Sequence, residues 1–166
     1  VTNQYVYSDQ TKTAGRTLYN ILPGTRLYVG FRVKNTSNYV WSNTGNHPIN
    51  VGTVRPIDRN STFCDSTWLG CNRPARMIEQ TVNPGEYATF EFWMKAPSQP
   101  GTYREYFSLV AEGQAWFPDI GLIFESVVSP PRFTWQIVSQ YAYSDETKTQ
   151  GKSTVGLLPG DRVYVG

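Results

Sequence analysis

The first thirty residues of this chain recur, without a gap, as its last thirty. Tyr5, Tyr7, Ser8, Asp9, Thr11, Lys12, Thr13 and Gly15 return as Tyr141, Tyr143, Ser144, Asp145, Thr147, Lys148, Thr149 and Gly151. Leu22, Pro23, Gly24, Arg26, Tyr28, Val29 and Gly30 return as Leu158, Pro159, Gly160, Arg162, Tyr164, Val165 and Gly166. With Gln4 and Gln140 that makes 16 identities in 30 positions, far beyond chance. A period this long marks a tandem architecture. The chain reads as one whole repeat (residues 1–129), a Pro-rich linker and strand start (130–136) and the opening of a next repeat (137–166). Both ends read as cuts through a longer protein, which then carries any targeting signal elsewhere. The run Ser129-Pro130-Pro131-Arg132 favours a stiff, extended link between beads. The alternative is a proline-marked strand edge within one domain.

Inside the repeat the apolar period is two. Leu27, Val29, Phe31 and Val33 share one face of Arg26–Lys34, and Phe90, Phe92 and Met94 share one face of Tyr87–Met94. Such alternation is the mark of a half-buried strand. Met77–Val82, Tyr103–Glu112, Gly121–Val128 and Phe133–Tyr143 are further strand candidates. Turn clusters separate them at Leu22-Pro23-Gly24, Asn43–Asn46, Asn83-Pro84-Gly85-Glu86 and Ser98–Gly101. Aromatic residues reach 14% while charged residues fall to 17%, a profile of strand and turn formers. No segment of ten residues carries a 3.6-residue apolar period. The predicted fold is all-β, an antiparallel sandwich of immunoglobulin type, repeated in tandem.

Cys64 and Cys71 are the only two cysteines. They close a short loop rather than spanning a sandwich. Zinc is disfavoured, since two cysteines and a distant His47 fall short of four ligands. A disulfide is the expectation, and it implies export; free thiols in a reducing compartment are the alternative.

Several function classes recede on the same inventory. A net charge of +2 with no basic run argues against nucleic acid as partner. No apolar run approaches a membrane span in this fragment. His47 has no evident partner, no serine has the flanks of a nucleophile elbow, and no glycine loop resembles a phosphate cradle. The carboxylates Asp58, Asp65, Glu79, Glu86, Glu112 and Asp119 are scattered singly, so neither glycosidase chemistry nor a calcium site near Asp58 and Asp65 gains support. Arg59 and Arg73 are expected to stack on Trp68 or clamp backbone carbonyls, with anion binding as the alternative. Asn35-Thr36-Ser37 and Asn60-Ser61-Thr62 match the glycosylation pattern, a motif that arises easily by chance. No enzyme and no cofactor are expected.

Short motifs in order then carry a resemblance. They are Val33-Lys34-Asn35-Thr36-Ser37 with Trp41, Asp58-Arg59, Trp68, Arg73-Pro74, Asn83-Pro84-Gly85-Glu86, Ala96-Pro97, Gly101-Thr102-Tyr103, and Glu112-Gly113 with Trp116-Phe117. Over Leu22–Val128 this resembles the four-tryptophan immunoglobulin-like domain named after the "next to BRCA" autophagy receptor. The resemblance implies a sandwich with Trp41, Trp68, Trp93 and Trp116 as signature aromatics and a binding or spacer role without catalytic residues. Bacterial versions occur in exported, often multi-repeat surface proteins and beside cell-wall enzymes. Trp41, Trp68 and Trp116 are expected in core or corner packing. The cysteine pair stands outside the family pattern.

Three functional readings follow. The first is a structural repeat of an exported bacterial surface protein, building a stalk, fibre or adhesive filament from other copies head-to-tail. The second is a module for cell-wall glycan or a host or neighbour-cell protein, suggested by Tyr5, Tyr7, Tyr19, Tyr28 and Tyr39. The third, by family analogy, is an autophagy-type receptor domain, which an exported disulfide speaks against. For the terminal segment, the expectation is self-association through Tyr141, Tyr143, Leu158, Val163 and Val165. An isolated strand pair needs its apolar face covered, by a neighbouring copy or by folding back as extra edge strands.

Overall fold

Period-two alternation in Arg26–Lys34 buries Leu27, Val29 and Phe31 completely and Val33 almost so. That is the inner face of a sheet, and the rest of the fold is built against it. The computed structural model describes residues 3–153, 155 and 157–165. The outer limits assigned to the two copies, Val1 and Gly166, therefore lie outside the described residues. Two compact units divide between Pro131 and Arg132.

The first unit holds β1 (Asn3–Tyr7), β2 (Arg26–Lys34), β3 (Trp41–Ser42), β4 (Ile49–Thr53), β5 (Thr81–Val82), β6 (Tyr87–Lys95), β7 (Gly101–Ala111), β8 (Ala115–Trp116) and β9 (Leu122–Val128). One sheet runs β1-β2-β6, antiparallel throughout. The other centres on β7, which pairs with β4 and with both β9 and β8. β3 and β5 form a short ribbon. Phe92 of β6 lies edge-on to Phe107 and Phe124 of the other sheet, ring centroids 5.4 and 6.3 Å away, and Phe107 lies edge-on to Phe124 at 6.0 Å. These are favoured aromatic geometries.

Turn chemistry lies where the sequence predicts it. Gly24 and Gly85 take φ of 74° and 89°, and the turns close through Thr25 N–H to Leu22 O and Glu86 N–H to Asn83 O. Asn35 is fully buried and donates its amide to the carbonyls of Val82 and Tyr39. It fixes a turn, and a glycan acceptor needs an exposed nitrogen. Met77–Val82 forms a strand only at Thr81–Val82. Ile49–Thr53 is a strand that alternation misses, because all five residues are buried.

The cysteine expectation holds: Cys64 and Cys71 are disulfide-bonded. The closed loop carries Trp68 into the core, against Phe92 and Phe107, and presents Asp65 to Arg26. On the chain-entropy account a loop of this length contributes about 2.5 kcal/mol. The double variant Cys64→Ser, Cys71→Ser should lose about that much in urea unfolding. A loss below 0.5 kcal/mol would show that Trp68 and Asp65 hold the loop unaided.

The second unit contains β10 (Ala142–Tyr143) and β11 (Tyr164–Val165), paired antiparallel. The strand expected over Phe133–Tyr143 is confined to its last two residues. In the first unit, Asn3–Tyr5 pair with Gly30–Arg32.

Candidate functional site

The outward face of β1-β2-β6 gathers side chains from four distant stretches. Tyr5 on β1 and Tyr28 on β2 both donate their hydroxyls to the Glu91 carboxylate on β6, Tyr28 at 2.9 Å. Lys12, held in a left-handed turn between β1 and β2, completes the cluster with an ion pair to the same carboxylate. The Glu91 side chain is 8% exposed, so this is a desolvated ion with three donors rather than a surface pair. Tyr5 lies over Gly30, its partner in register. A Cβ on Gly30 would come within 2.6 Å of the ring, so glycine is required for this approach.

Electrostatics follow from the packing. Burial pushes Glu91 up, but the hydrogen bonds from Lys12, Tyr5 and Tyr28 outweigh it and leave the carboxyl below its ordinary value. Burial first and the Glu91 bond second push Tyr28 up to about 12, and the same causes raise Tyr5. Their neutral forms are favoured by folding, so this contribution is complete below pH 10 and is lost as pH rises towards 12. In an alkaline titration followed at the tyrosinate band, two tyrosines should ionise only together with loss of the far-ultraviolet strand signal. Ionisation of all eleven near pH 10 with the fold intact would contradict the cluster.

Beside this cluster, Arg26 donates to both oxygens of Asp65 at 2.7 and 2.8 Å and lies 4.5 Å over the Trp93 ring. The Arg26 contact is the largest of the causes that hold the Asp65 carboxyl down. Next to Trp93 opens a cavity of about 380 Å³, lined by polar and apolar groups from β2, β6 and the disulfide-closed loop.

The four signature tryptophans do not meet in one place. Trp41 is buried at the sandwich end, edge-on to Phe117, and donates its indole N–H to Ser37. Trp68 is buried and bonds the Trp93 carbonyl. Trp93 is half-buried on the outward face of β6, and Trp116 is half-buried on the other sheet. Arg73 stacks on Trp116, not on Trp68, at 4.9 Å, and is held between Glu112 and Asp58. A Cβ on Gly52 would meet the Trp116 ring at 2.3 Å, which is why that strand carries glycine there. Arg59 clamps the Val54 carbonyl and pairs with Glu105. Asp58 and Asp65 thus each hold an arginine. His47 faces the Glu112 carbonyl at 2.8 Å.

The second unit repeats the first unit's local chemistry. Tyr7 opposes Tyr28, and Tyr143 opposes Tyr164; Val6 opposes Val29, and Ala142 opposes Val165. Lys12 and Lys148 have φ of 59° and 57°. Asp9 and Asp145 each accept from the threonines two and four residues on, and the Thr147 bond heads the causes that bring Asp145 down to about 2. Tyr141, Lys148 and Tyr164 stand where Tyr5, Lys12 and Tyr28 do. Of the residues expected to self-associate, Leu158 and Val165 are exposed, Tyr141 marginally so, while Tyr143 and Val163 are half-buried.

Sequence reasoning overlooked Glu91, and one signal pointed towards it: the duplication retains Tyr5, Lys12, Arg26 and Tyr28 together. A family model described as the Ig-like domain from next to BRCA1 gene matches residues 17–123. A comparison with curated proteins returned no match.

Proposed function

The chain belongs to the family of Ig-like domains from next to BRCA1, and from that premise we propose that it is a non-catalytic structural repeat of an exported surface protein, building a stalk or filament head-to-tail. The observation that carries this reading is the duplication, in which 16 of 30 residues and the paired register return together. Repetition adds length without adding chemistry. The Pro130-Pro131 link supports the same reading because it favours a stiff, extended connection. The disulfide is compatible with an oxidising location.

An antibody raised against this chain tests the proposal on intact, unpermeabilised source cells. Surface labelling, with rods of regular spacing in negative stain, is the expected result. Labelling only after permeabilisation would overturn it.

A second reading is favoured by the cavity beside Trp93: each copy also binds glycan on the outward face of β1-β2-β6. Its volume lies at the small end of ligand sites. Retention of the chain on cell-wall polymer is the test, and passage through every such column counts against it.

A further inference from the structure

Most arginines of the first unit already hold a carboxylate. Arg26 holds Asp65, Arg55 Asp119, Arg59 Glu105, Arg73 Glu112 and Asp58, and Arg104 Glu125. Arg76 is exposed and pairs with no carboxylate among the described residues, and it is the one basic side chain lining the cavity beside Trp93. The other walls are of two kinds. Trp93 and Leu69 are apolar, Leu69 being 52% exposed, whereas Gln10 and Thr67 bring an amide and a hydroxyl.

Arg26 covers one face of the Trp93 ring; apolar side chains and hydrogen-bonding groups lining one cavity suit the two faces of a sugar ring, one of C–H groups and one of hydroxyls. An unpaired guanidinium adds a fork that fits a carboxylate. The cavity also contains Glu91, whose charge would repel an anion, but that carboxylate is already engaged by Lys12, Tyr5 and Tyr28. Thr67 directs its hydroxyl proton to Asp65 at 2.8 Å and so faces a ligand as an acceptor. Gln10 reaches the cavity from the turn between β1 and β2.

We infer that this cavity binds a saccharide unit carrying a carboxylate, a uronic-acid type residue, with Arg76 on the carboxylate and Trp93 and Leu69 under the ring. The inference rests on the second reading above, that the outward face binds glycan. One such site is weak, with a dissociation constant of order 1 mM, and a row of copies on one polymer gains affinity by multivalency.

The test is titration of the full ¹⁵N-labelled chain with a glucuronic-acid-containing disaccharide, its neutral counterpart, and acetate. The expected result is a shift of the Trp93 indole N–H and the Arg76 and Thr67 amides by the uronate. Binding of the neutral sugar and of acetate should each be at least tenfold weaker, the size of effect a charge-assisted bond produces. Arg76→Ala, at an exposed position that leaves the core untouched, should weaken the uronate at least tenfold, and Arg76→Lys should recover part of it. Equal binding of the neutral sugar, equal binding of acetate, no binding, or insensitivity to Arg76→Ala would each overturn the inference. If cell-wall polymer retains the chain while the uronate fails, only the carboxylate assignment falls; if neither binds, the glycan reading falls with it.

Discussion

Phe107→Ala should cost about 3–5 kcal/mol, the range for emptying a large aromatic side chain from a packed core. Phe107 is fully buried at the centre of the aromatic cluster, with Trp68, Phe92 and Phe124 around it. Rings fixed edge-on from both sheets and from the disulfide-closed loop collapse poorly into a gap, so the cost sits in the upper part of that range. Against a total stability of about 5–15 kcal/mol, this removes about a quarter or more. Urea unfolding should show a much lower midpoint with little change in slope. Ile57→Ala, at an exposed site, should stay within about 0.5 kcal/mol and serve as the reference. A midpoint for Phe107→Ala near that reference would mean the two sheets do not pack as described.

Glu91→Ala has the second largest expected effect. It strips one acceptor from three donors at once, two of them part-buried hydroxyls. Removing one partner of a buried ionic contact costs about 3–5 kcal/mol. Lys12 is 41% exposed and regains water, so the figure falls to about 2–3 kcal/mol. Glu91→Gln keeps the shape but leaves one acceptor oxygen where the tyrosines donate to two, and should lose about half as much. The acid limb separates the variants further. A carboxyl held below its ordinary value of 4.5 contributes stability that is complete above that pH. It is lost as pH falls through the depressed folded value. Both variants should therefore show a shallower loss of stability between pH 5 and 3 than the parent chain. An unchanged acid limb would place the Glu91 charge outside the folding balance.

The parts of this fold that could be read in the chain are those where local pattern and tertiary role agree. β2 and β6 alternate because one face of each lies on the core and the other lies outward, so period two survives. β4 does not alternate. Its sequence Ile49-Asn50-Val51-Gly52-Thr53 is buried on both sides, by the core on one and by Trp116 and Arg73 over Gly52 on the other. A strand covered on both faces has no polar face to announce it. The carboxylate cluster was hidden for another reason: Tyr5, Tyr28 and Glu91 are joined by strand pairing and Lys12 by the turn after β1, and Glu91 stands alone in an apolar run. Trp93, one of the four signature tryptophans, lines the same cavity as Arg76. Arg76 itself carries no motif. Its interest comes from most other arginines of the first unit already holding a carboxylate.

The two copies of the hairpin also create a choice during folding. Tyr5, Lys12 and Tyr28 form one set of handles and Tyr141, Lys148 and Tyr164 form another, and it is the first set that engages Glu91 on β6. Either hairpin has the side chains to claim that strand. On the ribosome the contest is uneven, because residues 3–29 emerge before β6 and residues 139–165 only after it. The first hairpin can close on its strand before its rival exists. A chain released from denaturant has no such order, and both claimants are present from the first moment. Direction of synthesis thus acts as an arbiter between near-identical neighbours, a function no contact in the finished sandwich records.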